Sequence, residues 1–250
     1  GVDSSAYHTT VRKAAELLDL NLPSTVVKSN LLTEVLRASS AKDEPLLPFH
    51  EAVAEPVLQV WKKPMSAAAV NRGLARRYRT APDDPAFLSV HPTPEGLVVQ
   101  ASCAGRGVSM PSTPSDRESK KVEQQGKKLF SSGSMALKSI NASCLMGRYV
   151  HALWVNIQKF IQFVPEEHKA DYRELVMDGQ CAAQQVIQSG LDTADSVARS
   201  MATSVSMRRQ AWLRGSGFSP DVQSTLMDLP FDGAKLFGDK ADSALERFKD

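Results

Sequence analysis

The placement of proline constrains this chain most. Of its 250 residues 14 are proline, yet none lies between Ser115 and Val164 and none between Glu166 and Ser219. Proline removes a backbone donor and clashes with the preceding helical turn, so a long helix is confined to such proline-free runs. The side-chain pattern then decides whether a helix forms there. In the first run, apolar or small residues fall at Val122, Gly126, Leu129, Gly133, Leu137, Ile140, Cys144, Gly147, Val150, Trp154, Ile157 and Ile161. In the second they fall at Tyr172, Leu175, Gly179, Ala182, Val186, Gly190, Ala194, Val197, Met201, Val205 and Trp212. In the first run every gap is three or four residues, the spacing of one helical face, and in the second that holds as far as Val205.

These runs predict two helices, from about Ser115 to Val164 and from about Pro165 to Arg214. Ser115 and Glu118 read as a capping box at the first start, and Glu166 and Glu167 suit the positive end of the second. Each helix of about 50 residues would span roughly 75 Å at 1.5 Å per residue. Val164-Pro165 is the only break between them, so an antiparallel hairpin is expected, coiled-coil-like and self-associating. The glycines at 126, 133, 147, 179 and 190 sharpen that expectation. Glycine in a helix interior costs about 1 kcal/mol against alanine, and close approach of two backbones would offset it. The expected contact seam comprises Leu129, Gly133, Leu137, Ile140, Trp154, Gly179, Ala182, Val186 and Gly190, paired within and between chains, with Cys181 near a symmetry mate.

The flanks are broken more often. Residues 1–103 read as short helices separated by proline. One runs from about Ser5 to Leu20, one carries Leu31, Leu32, Val35 and Leu36, and one covers Pro48 to Trp61, with Pro56 expected to break or kink it. Ser66 is a candidate cap for a helix with Val70, Leu74 and Tyr78, and Asp84-Pro85 and Thr93-Pro94 open two more short elements. Residues 104–114 read as a linker rich in Gly and Pro. After the hairpin, expected over 115–214, residues 215–250 carry a glycine stop at Gly215-Ser216-Gly217, a helix from Ser219-Pro220, the Asp228–Gly233 turn and a last helix from about Asp239. The fold class expected is therefore all-α. Aromatic residues at 6% suit helices with small contact residues better than a thick sheet sandwich.

Chemistry is sparse. The histidines at 8, 50, 91, 151 and 168 include no pair spaced for a metal on one helix face. Cys103, Cys144 and Cys181 are odd in number and far apart, which argues against a disulfide framework or a zinc site and fits the nucleus or cytosol. There is no phosphate-binding glycine loop. Gly215-Ser216-Gly217 lacks the preceding strand of a nucleophile elbow, and Asp83-Asp84 and Asp228/Asp232 read as caps or turns. No catalytic residue, metal or cofactor is expected, and no apolar run is long enough to cross a membrane. Net charge is only +2, so any nucleic-acid surface must be local. Two local clusters exist: Arg72, Arg76, Arg77 and Arg79 around Tyr78, and Arg208, Arg209 and Arg214 around Trp212. Cations interleaved with an aromatic can follow a phosphate backbone and stack a base. The plainer reading is solvated helix faces with the aromatics turned inward.

Several stretches taken in order carry a resemblance. They are Pro45-Leu-Leu-Pro-Phe-His50, Val60-Trp-Lys-Lys-Pro64, Arg77-Tyr-Arg79, Asp84-Pro-Ala-Phe-Leu88, His91-Pro92, Gly147-Arg-Tyr149 with Leu153-Trp154, Arg208 to Arg214, and Asp228-Leu-Pro-Phe-Asp-Gly233. From about residue 30 to 250 the chain resembles the isoform-specific C-terminal region of the alpha form of lamina-associated polypeptide 2. It equally resembles the Gag-like first reading frame of DIRS-type retrotransposons. The resemblance implies a non-enzymatic α-helical region that homodimerises through long antiparallel helices. It implies either a nuclear scaffold that binds A-type lamins or a retroelement coat protein that assembles and contacts RNA.

Overall fold

The computed structural model describes residues 4–22, 45–102 and 112–247. The helix expected around Leu31–Leu36, most of the expected linker, and Cys103 lie outside the described residues. The described elements are helices α1 (Ser4–Leu17), α2 (Glu51–Trp61), α3 (Arg72–Arg77), α4 (Leu97–Ser102), α5 (Arg117–Ile157), α6 (Lys169–Leu213), α7 (Pro220–Met227) and α8 (Ala241–Glu246). Short 3₁₀ turns cover Ala86–Leu88, Gln158–Phe163 and Glu166–His168. Among the described residues there is no strand, only an isolated parallel bridge between Thr93 and Lys235. The fold is all-α, with α5 and α6 packed as a long hairpin.

Several local expectations shift by a few residues for visible reasons. The cap of α5 is Asp116 rather than Ser115: its Oδ1 accepts the Ser119 amide at 2.8 Å, and hydrogen bonds from Ser119 hold its carboxyl below the usual range. Ser66 does not cap α3. Asn71 does, accepting the Gly73 amide at 2.7 Å. Pro56 neither ends nor divides α2, which begins one residue after its own cap, His50. The last turn before Val164 tightens to 3₁₀, and the Pro165 end opens in 3₁₀ before α6 begins.

The chain divides into two compact units, Gly1–Ala67 with Ser143–Ser189, and Ala68–Ala142 with Gly190–Asp250. The division runs through both long helices. In the second unit a single apolar core gathers Phe130 of α5, Met201, Val205 and Trp212 of α6, Val98 and Val99 of α4, Leu226 of α7 and Leu245 of α8. The short helices bury what the long pair cannot cover alone. The Thr93 bridge ties the approach to α4 to the approach to α8, through Thr93 N to Ala234 O and Leu236 N to Thr93 O, both 2.9 Å.

The first unit is built differently. Among its described residues the buried apolar side chains are few and small: Val11 and Ala15 of α1, and Val176 and Ala183 of α6. Lys13 of α1 donates to Asp178 at 2.7 Å and to Glu174 at 2.9 Å, and those carboxylates raise the pKa of its ammonium. The Tyr172 hydroxyl donates to the Ile157 carbonyl, fastening the start of α6 to the end of α5.

Candidate functional site

The hairpin seam is the first place to look, because the glycines mark it. A methyl group on Gly126 would sit 2.5 Å from Arg208 Cγ, and one on Gly133 would overlap the Met201 side chain. One on Gly147 would lie 3.0 Å from Ile187 Cγ1, and one on Gly179 would enter the Trp154 indole. The partners descend along α6 as the glycines climb α5, which is the antiparallel register. These glycines admit side chains of the facing helix, so the seam they form lies within one chain.

The other expected seam positions sort around that line. Gly190 is buried, while Leu129, Ile140, Trp154 and Cys181 are half-buried. Leu137 packs against the core of the second unit. Val186 is 48% exposed but approaches Gly147, and Ala182 is exposed. The facing line on α5 runs instead through Ser119, Glu123, Gly126, Phe130 and Gly133, all buried. Phe130 rather than Leu129 is the inward anchor, at 1% exposure. On the early part of α6, Val176 and Ala183 are buried where Leu175 and Ala182 were expected. The reason is that spacings of three and four fit two neighbouring lines on a helix, and a hydrophobic count alone follows the more apolar one.

That more apolar line is still informative, because it is uncovered. In the first unit α5 carries Leu145, Met146, Tyr149, Val150, Leu153 and Ile157 on one broad face, and Phe160 continues it. Met146 is 60% exposed, Tyr149 58% and Leu153 41%. The same unit exposes Leu175 and Met177 on α6. A unit that buries valine and alanine while exposing leucine, methionine and tyrosine has its larger apolar surface on the outside. Exposed apolar side chains grouped on one helix face make this a candidate interaction face.

The arginine clusters separate. Arg72, Arg76, Arg77 and Arg79 are exposed, and none forms an ion pair with a carboxylate among the described residues. Tyr78 is half-buried, and a hydrogen bond with Ser139, then one with Arg77, lowers the pKa of its phenol. The second cluster is not a surface. Arg208, Arg209 and Trp212 are 0%, 3% and 0% exposed, and only Arg214 reaches solvent. This removes Arg208, Arg209 and Trp212 from the candidate contacts, and it also overturns the plainer reading of Arg208 and Arg209 as a solvated helix face, while Trp212 is turned inward as that reading had it.

The buried arginines fasten the second unit. Arg208 pairs with Glu123 through Nε at 3.0 Å and Nη2 at 2.9 Å, and Nη2 also donates to the Pro92 carbonyl at 2.8 Å. Lys127 stands 3.3 Å from the same glutamate. Arg209 donates to the carbonyls of Leu229 at 2.6 Å, Leu236 at 2.7 Å and Met227 at 2.8 Å, clasping the segment after α7 to α6. Burial lowers its pKa, and the field of Asp228 and Asp232 partly opposes that. His91 Nε2 lies 2.7 Å from Ser131 Oγ and 3.1 Å from the Lys127 carbonyl. Its pKa is lowered first by burial and then by the Arg208 charge. Glu123 was not singled out from sequence, and His91 entered only as a histidine without a metal-spaced partner and as part of the resemblance. A glutamate in phase with Gly126 and Gly133 was the available sign, since a buried carboxylate demands a cation on the facing helix.

The second unit also holds an apolar cavity of about 470 Å³. Phe87, Leu137, Met201, Val205, Leu229 and Phe231 form most of its wall, and the exposed carboxylates of Asp228 and Asp232 stand beside it. Asp232 Oδ1 accepts the amides of Ala234 at 2.8 Å and Lys235 at 3.0 Å, which keeps its carboxyl ionised to lower pH than usual. No cluster of three metal-binding side chains occurs among the described residues, and none of their helices is long and apolar enough to cross a membrane. Cys144 and Cys181 are free thiols. No protein-family model, curated protein or solved structure matches the chain.

Proposed function

We propose that this chain is a non-enzymatic scaffold that self-associates through the outer face of α5 and α6 in its first unit, and that it binds nuclear protein partners such as A-type lamins. The observation that carries the reading is the exposed apolar face at Met146, Tyr149 and Leu153, in a unit whose described residues bury no apolar side chain larger than valine. A second copy supplies the same kind of face, as an isologous two-fold contact requires. The seam of glycines then serves to stiffen each hairpin, and the outer face joins hairpins. The lamin partner rests on the resemblance of the sequence stretches to the lamina-associated polypeptide.

A second reading, a Gag-like coat protein that binds RNA, draws on the exposed arginines of α3 and Arg79. With Arg208, Arg209 and Trp212 buried, Arg72, Arg76, Arg77, Arg79 and Arg214 remain for it, so its affinity would be modest and steeply salt-dependent. Light scattering on the full chain separates the readings. The scaffold gives at least twice the chain mass alone and a further increase with an A-type lamin tail. The coat protein gives complexes with RNA that dissolve as salt rises. A chain that stays monomeric at micromolar concentration and ignores both additions refutes the proposal.

A further inference from the structure

We infer that the apolar cavity of the second unit receives the Trp61-Lys62-Lys63 end of α2 from another copy of this chain, extending pairs of hairpins into larger assemblies. The inference rests on the self-association proposed above but uses a different surface. Its first ground is α2 itself. None of the 11 residues of this helix is buried, although Val53, Leu58, Val60 and Trp61 are each more than half exposed. A helix this short is marginal in water without a packed face. Trp61, at 67% exposure, is the largest apolar group it offers, and Lys62 and Lys63 follow directly.

The second ground is the cavity. Its volume of about 470 Å³ accommodates an indole ring, and its walls are aromatic and aliphatic. Asp228 and Asp232 at its side present two carboxylates against one lining cation, Arg209, whose guanidinium is engaged by three backbone carbonyls, while Lys235 on the same turn is paired with Asp239 at 2.7 Å. The lysines flanking the indole therefore meet opposite charge when the ring enters. The two surfaces differ, so the contact is heterologous, and it closes into a ring or propagates as an open chain according to the rotation between copies. Combined with the two-fold contact of the outer face, it produces species larger than a dimer.

The test is the mass of the full chain across a concentration series, for the wild type, Trp61→Ala, Asp228→Lys and the Lys62→Glu/Lys63→Glu pair. Asp232 is left intact because two backbone amides depend on it. Each of these variants is expected to raise the concentration needed for species beyond the dimer by at least about tenfold, as loss of a buried aromatic or charged anchor does. Joining Asp228→Lys to Lys62→Glu/Lys63→Glu is expected to restore most of it. Circular dichroism confirms that the variants keep their helix content, since every altered side chain is exposed. Larger species that persist in Trp61→Ala, or a charge reversal without rescue, overturn the inference. Leu153→Asp keeps the two proposals apart: dimer loss in that variant with unchanged behaviour in the others sinks only the cavity contact. Unchanged dimer in Leu153→Asp sinks the outer-face reading alone.

Discussion

Glu123 and Arg208 show how a residue that looks like surface chemistry becomes architecture. A basic residue near the end of a long helix reads equally well as a nucleic-acid contact or as a favourable charge near the C-terminus. The structure places Arg208 inside, bound to a glutamate 85 positions away and to the Pro92 carbonyl. Removing one partner of a buried pair leaves an uncompensated charge, so Glu123→Ala should cost roughly 3–5 kcal/mol in urea unfolding. Replacing both partners, Glu123→Leu with Arg208→Met, should recover most of that loss. His91 makes a second, pH-dependent prediction. Its folded pKa lies below the ordinary 6.5 because burial and the nearby Arg208 disfavour the imidazolium. Above about pH 6.5 both states are neutral and stability is constant. As pH falls below that value, the unfolded chain takes up the proton first, so stability declines toward the folded pKa. His91→Gln should flatten the decline in thermal unfolding measured between pH 5 and 7.

At the scale of elements, the long helices were legible because proline and periodicity agree. Counting the 3₁₀ turns at the hairpin tip, the proline-free runs set their extent to within a turn, and the glycines marked where the two approach. The exact face was less legible. Leu129 and Leu175 are as apolar as Phe130 and Val176, and only three-dimensional packing chooses between adjacent lines. The short helices were legible through caps, yet Asn71 and Asp116 outcompeted Ser66 and Ser115 because their side chains reach the amides two or three residues on. The arginine site was the least legible, since burial of Arg208 depends on Glu123, which no count of cations reveals. The element-scale prediction concerns Gly179. Alanine there gains about 1 kcal/mol of helix propensity but drives a methyl into the Trp154 ring. Overpacking of this kind costs about 1–3 kcal/mol, so Gly179→Ala should lower the unfolding free energy in denaturant titration. Adding Trp154→Leu to it should return part of the loss by freeing the space.

For the whole molecule, the two units set different tasks. The second closes its own core around Trp212 and the arginine clasps. The first leaves leucine, methionine and tyrosine side chains uncovered on α5, which is costly in water unless a partner covers them. An obligate dimer face typically buries 2,000 Å² or more. Aspartate at Leu137 or Val186 would be a poor probe of that face, since Leu137 packs on the second core and Val186 lies against Gly147. Met146 and Leu153 point outward and can be changed without touching the hairpin. The decisive measurement is sedimentation equilibrium of the full chain and of its Met146→Asp/Leu153→Asp variant, from submicromolar to tens of micromolar. The wild type should sediment as a dimer or larger at micromolar concentration, and the variant as a monomer with unchanged helix content. A monomeric wild type over that range, or a variant that associates as the wild type does, contradicts the account.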